Sequence, residues 1–214
     1  FSYQGFTQLT GELNSKPPDC LSPAMTGMNI KDHWCSDGGA YWWHNNIAWG
    51  LQIAALKMKR ENNFFEWERI RLALENKSYL REGINILKKY DPNNFVLLWL
   101  KNLKNDTQFE EFKPISTWIK QPMLIIGGLW DPHLKGAFDL YKKSIEAGGS
   151  PEIIIGNATH LDWWEGSQEL LLKFFDKHLK SDEKLNSKNS KGEKKIWNIS
   201  LNKWEELDNK FHPE

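Results

Sequence analysis

The chain has 214 residues, with Lys plus Arg and Asp plus Glu both at 28 and a formal net charge of zero. It is long enough to bury one core of ordinary size, but it lacks the basic stripe that a phosphate backbone requires, so nucleic acid is not an expected partner. Its longest apolar runs, such as "MLIIGGLW", are too short to span a bilayer and predict no membrane partner, and Cys20 and Cys35 form neither a CxxC motif nor a disulfide framework.

The chain opens on Phe1-Ser2-Tyr3-Gln4-Gly5, a serine between an aromatic residue and a nearby glycine. Tyr3 to Leu13 reads as a short helix, stopped by the two prolines of "NSKPPD". "CLSPAMTG" reads as a short buried strand running into a loop. From Tyr41 to about Leu103 apolar residues recur at helical spacing, which predicts three or four helices inserted between two strand-bearing regions. Met123 to Ile126 is a continuous apolar run, as expected for a strand buried on both faces. "LKGAFDLYKKSIEAGG" then places Leu134, Ala137, Phe138, Tyr141 and Ile145 along one helix face before a Gly-Gly stop. "EIIIGNATH" is a second buried strand ending in a loop, and "WWEGSQELLLKFFDKHLK" is an amphipathic helix. Strand, helix, strand, helix implies a parallel α/β sheet with right-handed crossovers. "SDEKLNSKNSKGEKK" reads as a linker, and "IWNISLNKWEEL" as a strand at the start of a following β module. The expected segments are a core over 1–36, a helical cap over 37–113, more core over 114–180, a linker over 181–195 and a C-terminal β domain starting at 196–214.

Functional groups of open parallel sheets gather in loops at the carboxyl ends of strands. Asp131 follows the first buried strand, His160 follows the second, and Ser2 stands before the first helix. The order Ser, Asp, His is that of α/β-hydrolases. A serine hydroxyl needs a base, which His160 supplies; Asp131 would hold that imidazole in the right tautomer. A tight turn at Ser2 would aim the backbone N–H of Tyr3 at a developing oxyanion. Each residue alone is ordinary, since a serine near a glycine is usually a turn and Asp131-Pro132 usually a helix start. The conjunction carries the reading.

Asp131-x-His133 and His160-x-Asp162 hold ligand residue types at a spacing that matches no strong metal signature, so no metal and no cofactor is expected. His33, His44 and His178 read as packed or solvated side chains. Twelve tryptophans are the one unusual count. Trp42, Trp43, Trp49, Trp130 and Trp163 are candidates to line a substrate pocket; for Trp42, Trp43 and Trp49 the cap's own core is an equal alternative.

At these residues the sequence resembles the CocE/NonD family of serine hydrolases, the group of cocaine esterase, α-amino-acid ester hydrolases and X-Pro dipeptidyl peptidases. The family's elbow is typically G-x-S-Y-x-G, matched by Phe1-Ser2-Tyr3-Gln4-Gly5 except for a first glycine that would precede the chain. "GGLWDPHLKG" resembles its acid loop, "IIGNATHLDWW" its histidine loop, and "NKWEELD" the opening of its jelly-roll domain. The histidine loop, commonly G-P-W-T-H, here reads Gly156-Asn157-Ala158-Thr159-His160. The resemblance implies the C-terminal half of an α/β-hydrolase sheet with a helical cap insertion and the start of a β jelly roll. It implies a serine hydrolase acting on a small-molecule ester, amide or short peptide, with homo-oligomerisation open. The family's second oxyanion donor, a tyrosine hydroxyl, and the strands leading into the elbow would lie before Phe1, so the 214 residues alone are expected to fold poorly. A non-catalytic ligand- or carbohydrate-binding protein on the same scaffold is the alternative, disfavoured because all three triad residue types are kept.

Overall fold

Helical spacing in the middle of the chain and two all-apolar runs beyond it govern the architecture seen in a computed structural model, which describes residues 1–10, 15–103, 109, 114–180 and 192–207. The chain divides into two units, one made of Phe1–Asn29 with Phe112–Glu214, the other of Ile30–Glu111.

In the first unit α1 spans Ser2–Thr7, shorter than the helix expected over Tyr3–Leu13. The Leu9 N–H turns back to the Phe6 carbonyl at 2.9 Å, and the Leu9 side chain is then fully buried; Leu13 lies outside the described residues. Gly5 lets α1 rest on the segment that follows it. A Cβ there would stand 3.0 Å from Thr26 Cγ2 and 3.3 Å from the Ala24 carbonyl oxygen. That segment, expected as a strand, makes two isolated parallel bridges, Leu21 to Met123 and Ala24 to Ile126. Pro23, between them, has no N–H to give to a ladder.

The second unit begins with a π turn over Lys31–Cys35 and a small hairpin, β1 (Ser36–Asp37) and β2 (Ala40–Tyr41), turned by Gly38 and Gly39 at φ of 55° and 84°. Four helices follow: α2 (Trp43–Arg60), α3 (Phe64–Glu75), α4 (Tyr79–Tyr90) and α5 (Phe95–Asn102). On α2, Ile47, Leu51, Ala54 and Met58 recur at helical spacing and pack with Ile70, Leu87 and Val96. A buried polar latch ties the elements together. Asn94 caps α5 by accepting from the Val96 N–H at 3.1 Å, and its amide donates to the Gly50 carbonyl at 3.1 Å and to Asp91 Oδ2 at 2.8 Å. Asp91 in turn pairs with Lys57 at 3.0 Å.

Back in the first unit come α6 (Ser116–Ile119), β3 (Leu124–Gly128), α7 (Leu134–Glu146), β4 (Glu152–Gly156) and α8 (Ser167–Leu179). β3 and β4 pair in parallel, Leu124 opposite Glu152 through Gly128 opposite Gly156. Alternation along them feeds two cores: Ile125, Ile153 and Ile155 pack with Ala137 and Leu140 of α7, and Leu124, Ile126 and Ile154 with Phe174 of α8. The residues expected to open a separate β domain lie in this same sheet. β5 (Lys194–Asn198) runs parallel to β4, and β6 (Lys203–Glu206) returns antiparallel, so "IWNISLNKWEEL" holds a hairpin where one strand was expected. Asn202, at φ 50°, makes that turn, and Trp197 and Trp204 stand directly opposite one another. The linker expected over 181–195 lies outside the described residues up to 191, and its last two, Lys194 and Lys195, belong to β5. No helix among the described residues is long and apolar enough to cross a membrane.

Candidate active site

Ser2 opens α1 with φ at 53°, in the left-handed region that L-residues enter at a cost. Two backbone hydrogen bonds hold it there: the Ser2 N–H donates to the Ala24 carbonyl at 2.8 Å, and the Gly5 N–H to the Phe1 carbonyl at 3.1 Å. The turn sends the hydroxyl towards the carboxyl ends of β3 and β4.

Those ends are fastened to each other. The Leu129 and Trp130 N–H groups donate to the Gly156 and Ala158 carbonyls at 2.9 and 3.0 Å. Gly128 is what permits so close an approach, because a Cβ on it would stand 2.5 Å from the Ala158 oxygen. On the outside the Trp130 indole donates to Asn157 Oδ1 at 2.8 Å. Asn157 is one of the positions where the histidine loop departs from the G-P-W-T-H pattern. Thr159 and Asp162 close the turn that carries His160, each giving its backbone N–H to the other residue at 3.0 Å.

The two loops and the elbow bring Ser2, His160 and Asp131 into one line. Ser2 Oγ lies 2.9 Å from His160 Nε2, and His160 Nδ1 lies 2.7 Å from Asp131 Oδ2. The other carboxylate oxygen accepts the His133 N–H at 2.5 Å, which fixes the carboxylate's rotation. The Asp131 side chain is fully buried, whereas that of His160 is 28% exposed; the dry acid faces the wetter base. A carboxylate can only accept, so Nδ1 carries the proton towards Asp131 and Nε2 is left to accept from Ser2.

Of the tryptophans singled out, Trp163 is half-buried, donates to the His160 carbonyl at 3.3 Å and meets the Phe1 ring edge-on at 5.8 Å. With Phe1, Leu161 and Trp164 it lines an open groove of about 870 Å³. Trp130 is exposed on the outer side of the acid loop. Trp42, Trp43 and Trp49 belong to the other unit. There Trp49 packs with Trp34, Phe95 and Trp99, the Trp43 indole donates to the Leu80 carbonyl at 2.9 Å, and Trp42 precedes α2. Two ring contacts at His160 could not be foreseen from sequence spacing. The Phe1 ring lies 5.4 Å from the His160 ring, tilted by 49°. His133 stands just before α7 as its N-cap residue, is buried beside the same ring and joins Asp131 and His160 in a group whose ligating atoms lie within 4.8 Å of one another.

A parallel core with an acid after one buried strand, a histidine after the next and a serine on a left-handed turn into a helix is the arrangement of an α/β-hydrolase-like protein. The sequence profile of the X-Pro dipeptidyl-peptidase (S15 family) matches residues 1–162, and the chain belongs to that family. Membership makes it a hydrolase of the serine peptidase and esterase kind, with an α/β-hydrolase-like fold. No individual curated protein matches the chain significantly.

Proposed function

We propose that the chain carries the catalytic residues of a serine hydrolase that cleaves an ester or amide, an acyl ester or an X-Pro-type peptide, through an acyl-enzyme. The observation that carries this reading is the unbroken run of hydrogen-bond distances from Ser2 through His160 to Asp131. Ser2 Oγ attacks the substrate carbonyl carbon while His160 Nε2 takes its proton, and buried Asp131 stabilises the imidazolium that results. Tyr3, second in α1, has a backbone N–H with no intrahelical acceptor, and it is the donor assigned to the oxyanion. The tetrahedral intermediate collapses, the leaving alcohol or amine departs with the proton from His160, and water repeats the sequence on the acyl-Ser2 ester. The groove beside Phe1 and Trp163 is assigned to part of the substrate, and residues 30–111 are read as the helical cap.

Turnover of p-nitrophenyl esters and of X-Pro p-nitroanilides tests the reading and separates the two substrate classes. A burst of p-nitrophenol before the steady state is expected from acyl-enzyme accumulation. Ser2→Ala is expected to lower kcat by about 10³-fold or more. Turnover that survives this substitution would place the nucleophile elsewhere.

A further inference from the structure

His133 has a side chain that the acyl-transfer sequence leaves unused. It is buried two residues beyond Asp131, and its ring is inclined at 63° to that of His160, with centroids 5.4 Å apart. One ligating atom from each of Asp131, His133 and His160 lies within 4.8 Å of the others. Two imidazoles and one carboxylate are a donor set of three-ligand zinc sites, in which water takes the fourth place. Donors about 2.0–2.1 Å from a tetrahedral ion stand roughly 3.4 Å apart, so the set closes with side-chain movements of roughly an ångström.

We infer that Asp131, His133 and His160 form an inhibitory site for Zn²⁺, an inference that rests on the hydrolase reading for its effect on turnover. The ion takes no part in the chemistry. Bound at Nε2, it occupies the lone pair that faces Ser2 Oγ; bound at Nδ1, it displaces the proton shared with Asp131 and leaves the ring's proton on Nε2. In both cases His160 can no longer accept the proton of Ser2. Imidazole suits Zn²⁺ and Cu²⁺, whereas Mg²⁺ prefers oxygen ligands and keeps its waters, so Mg²⁺ is not an inhibitor.

Calorimetric titration of the protein with zinc chloride, beside turnover of an activated ester, tests the site. The expected result is saturable binding of one ion in the micromolar range, loss of turnover over the same range, and recovery on adding EDTA. His133→Gln and His133→Phe should each weaken binding by about 10-fold or more. Inhibition should weaken in parallel, measured against each variant's own metal-free rate. Ser2→Ala and the control His178→Gln should bind Zn²⁺ as the parent does. Two His133 variants of different polarity, each checked by circular dichroism, keep a misfolded protein from deciding the outcome. No saturable binding by the parent, or affinity in both His133 variants equal to the parent's, overturns the inference. Calorimetry needs no turnover, so Zn²⁺ binding through His133 in a protein that hydrolyses nothing supports the site and counts against the hydrolase reading alone.

Discussion

Asp131 divides its two oxygens between two tasks: one accepts the His133 N–H at 2.5 Å, and the other faces His160 Nδ1 at 2.7 Å. Replacing one oxygen by an amide nitrogen keeps the shape and spoils the tautomer, because the amide can turn a donor towards Nδ1 and drive the ring's proton to Nε2. Asp131→Asn is therefore expected to lower kcat by about 10⁴-fold with KM little changed. Steady-state kinetics check this, and a fall confined to KM would contradict the role. Ser2, Asp131 and His160 could be singled out as candidates in the sequence because each sits beside strong punctuation, a nearby glycine or the end of an apolar run. The contacts of Asn157 and His133 could not be foreseen there. Their neighbours Trp130 and His160 lie 27 residues away in each case, and they meet only once β3 and β4 have paired and drawn the loops together.

At the scale of elements, the helices of 30–111 depend on more than their apolar stripe. Asn94 is buried and satisfies an N-cap, a carbonyl of α2 and the Asp91 carboxylate at once. Asn94→Ala leaves those groups without it and is expected to cost about 1–3 kcal/mol of unfolding free energy, read from denaturant melts. On α8, burial holds His178 below the ordinary histidine value of 6.5, with Lys177 adding in the same direction and Glu152 opposing. The unfolded chain then binds the proton more readily than the folded one. Stability is full above the ordinary value and declines as pH falls through it. Between about pH 7.5 and 5.5 the denaturation midpoint should drop, and less steeply in His178→Gln; identical slopes would contradict this. β3, β4, α7 and α8 were legible from their apolar pattern. Of β5 and β6 only one strand was foreseen, and as part of a separate module, because Lys194, Lys195, Lys203, Glu205 and Glu206 give an edge hairpin the polarity of a linker and its continuation. α1 was overextended for a related reason, since nothing in Phe6–Thr10 marks the point where Leu9 leaves the helix for the core.

For the molecule as a whole, one unit is continuous in sequence and the other is not. The helices of 30–111 interrupt the sheet-bearing unit between the elbow with its adjoining segment and the strands that carry the acid and the histidine. Ser2 and His160 are thus 158 residues apart in the chain and 2.9 Å apart in the fold. The sequence pattern placed that interruption over 37–113, against a compact unit of 30–111, whereas the contact across it needed the assembled sheet. The proposed hydrolysis rests on that one contact. Its most direct test is labelling of the protein with a fluorophosphonate, which reacts with an activated serine, followed by peptide mass spectrometry. An adduct on Ser2 that disappears in His160→Ala is the predicted result. A protein shown to be folded that takes no label on Ser2, or takes it equally well without His160, would contradict the hydrolase reading.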